Sequence, residues 1–230
     1  MNSDHTQRGP RGSGGAGGRA RVEGAKRAEI LAAATERFGR DGYEATRWAD
    51  IAADVGVGPT ALYHYFESKQ HCVYVILDDA LTDFRARFAR ITAEQPEPLH
   101  AIHAILEDCF DLSERDVQRN RLLVAELGLL ARRRPSPREE QARQAARARM
   151  RDLEFAWASF LAQAMQRGVI PERDPRMLAR AVLGLYNSIW QWYRPDGIVA
   201  LTDVRDFYIE RALAMLGIDS APGARPRIAA

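Results

Sequence analysis

From Ala25 onward the apolar residues of this chain recur every third or fourth position, and Gly- or Pro-containing breaks cut the pattern into blocks. That period places apolar side chains on one face of an α-helix. No stretch alternates as a half-buried strand does, and neither a hairpin signal nor a repeat stands out. An all-α fold is therefore expected. Ile30, Ala34 and Phe38 share the face of a first helix, which Gly42 can end in a left-handed cap. Thr46 suits the N-cap of a second helix, whose apolar residues are Ile51, Ala52 and Val55. Pro59 suits the first turn of a short third, where its missing N–H costs nothing. Ser68 caps a long fourth helix running to about Ala93. The breaks "EQPEP", "RRRPSP", "RGVIPERDP" and "RPDG" separate further helices expected over 98–112, 114–132, 137–168, 174–193 and 203–216.

Composition narrows the class. Of 230 residues, 46% are apolar and 28% charged, which is ordinary for a folded protein. No apolar run approaches the roughly 20 residues that cross a bilayer, and the N-terminus lacks the apolar middle of a secretory signal. Cys72 and Cys109 form neither a disulfide framework nor a metal-site spacing. These features point to a cytoplasmic protein with no membrane partner. The expected organisation is a basic disordered tail over 1–24, three short helices over 25–70, a larger bundle over 71–217 and a short tail over 218–230. The N-terminal tail reads either as an arm lying along DNA phosphates or as a solubilising leader.

The stretch "GVGPTALYHYFESK", residues 56–69, carries the functional signal. On a helix, Leu62 and Phe66 share one face and close a small core with the first two helices. Thr60, Tyr63 and His64 share the other face, which has nothing left to pack on. Two short helices joined by a Gly-containing turn, with polar and aromatic groups outward on the second, form a helix-turn-helix. Its second helix enters the major groove of DNA. Gly58, Pro59, Thr60 and Ala61 are small enough for close approach to base edges, and methyls of Thr60 and Ala61 suit a thymine methyl. Tyr63 and His64 can donate to phosphates, and Lys69 adds a charge. The helix start at Thr46, Arg47 and Trp48 offers N–H groups to another phosphate. Residues 28–69 hold four basic against seven acidic side chains, so affinity must come from a few placed contacts.

These residues resemble the DNA-binding domain of TetR-family transcriptional regulators. The resemblance rests on Phe38, Gly42, Tyr43, Thr46, Asp50, Ile51, Ala52, Gly56, Val57, Leu62, Tyr63, Phe66 and Lys69. Gly58 departs from the family's usual Ser, and Trp48 is also unusual. The resemblance implies a homodimeric repressor of about nine helices, with a small-molecule site in the C-terminal domain and a four-helix dimer interface built from the last two long helices. The segment "YNSIWQWYRPDG" is similar in part to a branch ending its penultimate helix in Trp-x-x-x-Trp-Tyr-x-Pro-x-Gly; only Trp190, Trp192, Tyr193, Arg194, Pro195 and Gly197 of that signature stand here. Several members of that branch are linked to fatty-acid or steroid catabolism and respond to CoA thioesters.

Candidate effector residues are the aromatics Phe110, Trp157, Phe160, Tyr186 and Trp190, with Arg194 at a pocket mouth; Trp190 can equally lock the dimer. The expected ligand is an acyl-CoA thioester that releases DNA, and no cofactor is implied. Candidate dimer residues are Leu178, Val182, Leu185, Ile189, Phe207 and Leu213, more apolar surface than a monomer's terminal helix pair should expose. A two-fold dimer implies a near-palindromic double-stranded operator. Arg143, Arg147 and Arg151 share a face that reads as a polyanion dock or as a solvated helix. His100 and His103 read as a surface pair rather than half a metal site. No nucleophile, phosphate-loop or metalloprotease motif supports catalysis. The alternatives to a ligand-controlled repressor are a DNA-organising protein without ligand and a small all-α enzyme.

Overall fold

The computed structural model describes residues 15–218. Among them the chain forms nine α-helices and one 3-10 turn. The head consists of α1 (Gly15–Asp41), α2 (Trp48–Asp54) and α3 (Pro59–Tyr65). The body consists of α4 (Lys69–Glu94), α5 (Pro98–Asp108), α6 (Glu114–Glu126), α7 (Pro137–Gln166), α8 (Pro175–Trp192) and α9 (Leu201–Met215).

Two apolar clusters follow from the helical stripes. Ile30, Ala34 and Phe38 of α1, Ile51, Ala52 and Val55 of α2, and Leu62 and Phe66 around α3 are all buried with Cys72, Val73 and Ile76 of α4. The second cluster runs from Leu81, Phe88 and Ile91 through α5, α7 and α8 to Ile209 and Leu213 of α9. α4 is shared by both, and its longest contact is with α7. α1 crosses α6 at Gly39, where an added Cβ would lie 2.5 Å from Gln118 Cβ. Only a glycine lets the two helices meet that closely.

Several boundaries differ from the sequence expectation. α1 starts at Gly15, inside the stretch expected to be disordered; residues 1–14 lie outside the described residues, as does the C-terminal tail from 219. A helix anchored by Ile30–Phe38 extends outward at one hydrogen bond per residue, and alanines and arginines over Arg19–Lys26 favour that extension. α5 stops at Asp108, and Ser113 opens α6 with a capping box closed by Asp116. α6 ends at Glu126 rather than 132, giving way to the 3-10 turn Leu127–Ala131. Thr46 does not cap α2. Its hydroxyl donates to the Gly42 carbonyl at 2.8 Å, which buries the side chain, and Arg47 occupies the cap position without a side-chain bond.

Candidate functional site

The turn between α2 and α3 is made by Gly56, whose φ of +66° lies in the left-handed region. Gly58 then caps α3, with Pro59 in its first turn. Leu62 and Phe66 are fully buried, which turns Pro59, Thr60, Tyr63 and His64 to solvent. Tyr63 is 54% exposed, a large ring facing water. Ala61 is half-buried and Arg47 exposed. One surface thus gathers Arg47, Gly58, Pro59, Thr60, Tyr63 and His64.

Three residues expected on that surface are used inside the head. Thr46 is buried. Trp48 stacks edge-on against Phe66, 6.4 Å between centroids, and its indole Nε1 is buried without a partner. Lys69 donates to the carbonyls of Tyr43 (2.6 Å) and Thr46 (3.0 Å), while its ammonium sits 4.1 Å from the Tyr43 ring centroid. It is a rivet between the α1–α2 loop and α4, and its charge is not free for a phosphate. Lys69→Ala is therefore expected to destabilise the fold, because two carbonyls lose their donor, at about 1–3 kcal/mol for a buried group left unsatisfied. A thermal melt checks this; an unchanged midpoint with a lower salt slope of DNA binding would restore the phosphate contact instead.

In the body, α4, α6, α7 and α8 enclose a cavity of about 240 Å³. Leu81, Phe84, Leu112, Leu123, Leu127, Met150, Leu153 and Leu183 supply apolar wall. Polar groups enter at two places. Asn120 Nδ2 donates to the Tyr186 hydroxyl at 3.0 Å, which donates in turn to the Cys109 carbonyl at 3.1 Å. Burial holds the Tyr186 phenol well above its ordinary pKa, so it stays a neutral donor. Nearer solvent, Arg119 bonds Asp83 at 2.8 Å and Arg180 pairs with Glu154.

Of the six effector candidates only Tyr186 lines this cavity. Phe110, Trp157 and Trp190 belong to a closed aromatic core, where Tyr186 meets Trp190 at 5.4 Å and Phe88 meets Trp157 at 5.2 Å. Phe110, Trp157 and Tyr186 border a separate void of about 20 Å³, room for no more than a water or two. Phe160 lies on an outward groove between α4 and α7. Arg194 is exposed and donates to the carbonyl of Tyr193. The polar residues Arg119, Asn120 and Arg180 were missed because, on a helical stripe, charged residues read as a solvated face.

The dimer candidates divide in the same way. Val182, Ile189 and Leu213 are buried in their own subunit and cannot meet a partner. Leu178 and Leu185 are half-buried and Phe207 is 43% exposed. Met177, Ala181, Gly184 and Met215 are exposed beside them. The arginine face of α7 is broken too, because Arg143 is buried, bonded to Glu140 and to the Leu130 carbonyl. Among the described residues no group of three His, Cys, Asp or Glu is placed to hold a metal ion, and His100 and His103 are both exposed. Among them, too, no helix is long and apolar enough to cross a membrane.

A helix-turn-helix head joined to a helical body with an internal cavity defines a DNA-binding regulator. Residues 30–74 match the model of bacterial regulatory proteins of the tetR family, and residues 129–216 match the tetracyclin repressor-like C-terminal domain. The chain belongs to the tetR family and acts as a homodimer on operator DNA. It is 27% identical over 195 residues to the HTH-type transcriptional repressor KstR2 of Mycobacterium tuberculosis, covering 84% of this chain and 92% of that protein. The solved structure of that KstR2, a ketosteroid transcriptional regulator, matches at a TM-score of 0.66 and 25% identity over 84% of this chain and 95% of that one. The TetR-family regulator PfmR from Thermus thermophilus matches at a TM-score of 0.65 and 28% identity, covering 83% and 98%. AibR, solved with isovaleryl coenzyme A and operator DNA, shares the fold at a TM-score of 0.67 and 22% identity, covering 81% and 97%.

Proposed function

We propose that this regulator grips its operator through the α2–α3 surface and is released when an acyl thioester occupies the cavity between α4, α6, α7 and α8. Thr60 and Ala61 at the start of α3 meet base edges. Arg47, Tyr63 and His64 meet phosphates, which position the protein without reading sequence. The exposed faces of α8 and α9, with Ala181, Leu178, Leu185 and Phe207, join the two subunits.

The observation that carries the effector reading is the apolar cavity walled jointly by α4 and α7, since α4 is continuous with the head. At about 240 Å³ it falls below the roughly 300–1,000 Å³ of sites that take a whole drug-sized ligand. That suits the acyl part of a thioester and excludes the coenzyme, which stays outside near Arg119 and Arg180. There its phosphates exchange places with Asp83 and Glu154 as arginine partners. The branch resemblance and the isovaleryl coenzyme A bound to AibR support this class of ligand. Release follows only if the ligand favours the DNA-incompetent arrangement energetically.

Calorimetry and gel shifts with isovaleryl-CoA, hexanoyl-CoA, a long-chain acyl-CoA and the matching free acids test the reading. Short or medium thioesters are expected to bind and to lower operator affinity at least tenfold. If no thioester binds, or free acids bind as well, the thioester reading fails.

A further inference from the structure

The start of α7 touches the head at the corner between α3 and α4. Ser68 caps α4 and Ser136 caps α7. Each capping hydroxyl also donates to a carboxylate at the other's helix start: Ser68 to Glu139, and Ser136 to Glu67. Arg138 adds a bond from Nη2 to the Tyr65 carbonyl at 3.2 Å, on the last residue of α3. Glu139 stands three residues after Ser136, where a glutamate ordinarily folds back onto its own helix cap. Here it accepts from the head instead, with Arg134 holding its other oxygen at 3.4 Å.

The corner is stiff on its own side. The Glu67 N–H donates to His71 Nδ1 at 3.2 Å, and the His71 N–H donates to Ser68 Oγ at 3.0 Å. His71 is buried, and burial, aided by Arg138, holds its pKa below the ordinary value, so the ring stays neutral and keeps an acceptor for Glu67. Further along the same unbroken helix, Met150, Leu153 and Glu154 line the cavity. At about 1.5 Å per residue, some 16–22 Å of rigid helix separate Glu139 from these walls.

We propose that Ser136, Arg138 and Glu139 are positioning residues for DNA binding: the first turn of α7 clamps the α3–α4 corner and sets the orientation of the recognition helix, giving the cavity a route to the head beside α4 and the α1–α6 crossing. The proposal rests on α3 as the DNA-reading element and is independent of the effector's chemistry.

The test uses the full-length dimer without effector. Cys72 and Cys109 are buried, so a spin label on Ala53→Cys, an exposed head position, reports one distance between the two heads. The parent protein should give a narrow distribution. Glu139→Ala should broaden it and weaken operator binding about tenfold while leaving non-specific DNA binding unchanged. Glu139→Gln should restore both, because its amide oxygen still accepts from Ser68. Arg138→Gln, which removes the Tyr65 bond and the charge beside His71 but leaves both serine–carboxylate bonds, should broaden the distribution even if Glu139→Ala folds poorly. A residue needed only for stability would lower the melting midpoint without moving distance or operator preference. Unchanged distances in Glu139→Ala and Arg138→Gln, or a Glu139→Gln as disruptive as Glu139→Ala, overturn the clamp. A failed thioester panel leaves these outcomes untouched.

Discussion

Ala181→Arg is expected to yield a folded monomer that binds its operator at least a hundredfold more weakly than the parent. Met177, Ala181 and Gly184 leave one side of α8 exposed, and Met177 is 61% exposed. Alongside it, α9 exposes Phe207 and Met215. Ala181 and Gly184 are small enough for another helix to come close. In a two-fold interface each residue near the axis meets its own copy, so arginine there brings like charges together and doubles the added volume. Losing the partner turns two linked half-site contacts into one, which costs about 10²–10⁴ in avidity. Light scattering and a gel shift read the two halves of the expectation. A persistent dimer with full affinity would place the interface elsewhere than on this face.

Met150→Trp is expected to leave operator affinity within about twofold and to abolish the effector response. Met150 lies on the cavity wall from α7 and is only half-buried, so a larger side chain can turn inward. The added ring occupies space the ligand needs. Filling a void offsets part of the strain of overpacking, usually about 1–3 kcal/mol, so the melting midpoint should move little. The check is a titration of the tightest-binding thioester against operator-bound protein. A normal response would move the effector out of the cavity. The open groove of about 840 Å³ between α4 and α7, bordered by Arg85, Arg149, Phe155 and Phe160, would then be its next location.

The helices were legible because their stripes and breaks are local properties. Pro59, Ser68, Ser113 and Ser136 mark true starts, and Gly42 and Gly56 true turns with positive φ. Thr46 misled because a hydroxyl can satisfy a carbonyl four residues back as readily as it caps the next helix. Lys69 misled for a related reason: its position by the head is visible in the sequence, but the two carbonyls it serves belong to a loop 23 and 26 residues away. α8 has one polar stripe of Arg176, Arg180, Asn187 and Gln191, but its apolar residues spread well beyond the buried face, so the period alone does not separate Val182 and Ile189, which face inward, from Ala181, which faces out. The cavity was the least legible feature. Its polar residues come from four helices, α4, α6, α7 and α8, and each carries charges that alone read as solvated surface.

The ion pairing of the head bears on how such a protein finds its site. Arg37 is bonded to Asp54, Arg40 to Asp41 and Glu36, and Lys69 to backbone carbonyls, leaving exposed Arg47 as the one basic side chain over 28–69 without such a bond among the described residues. Few counterions are expected to be released from this part of the head on random DNA, which would make chance encounters brief. A search by repeated short landings rather than long slides is the expected consequence, to be read as a shallow salt slope for non-specific binding. Occupancy in a crowded genome depends on the shape fit at the correct half-sites more than on the salt around them.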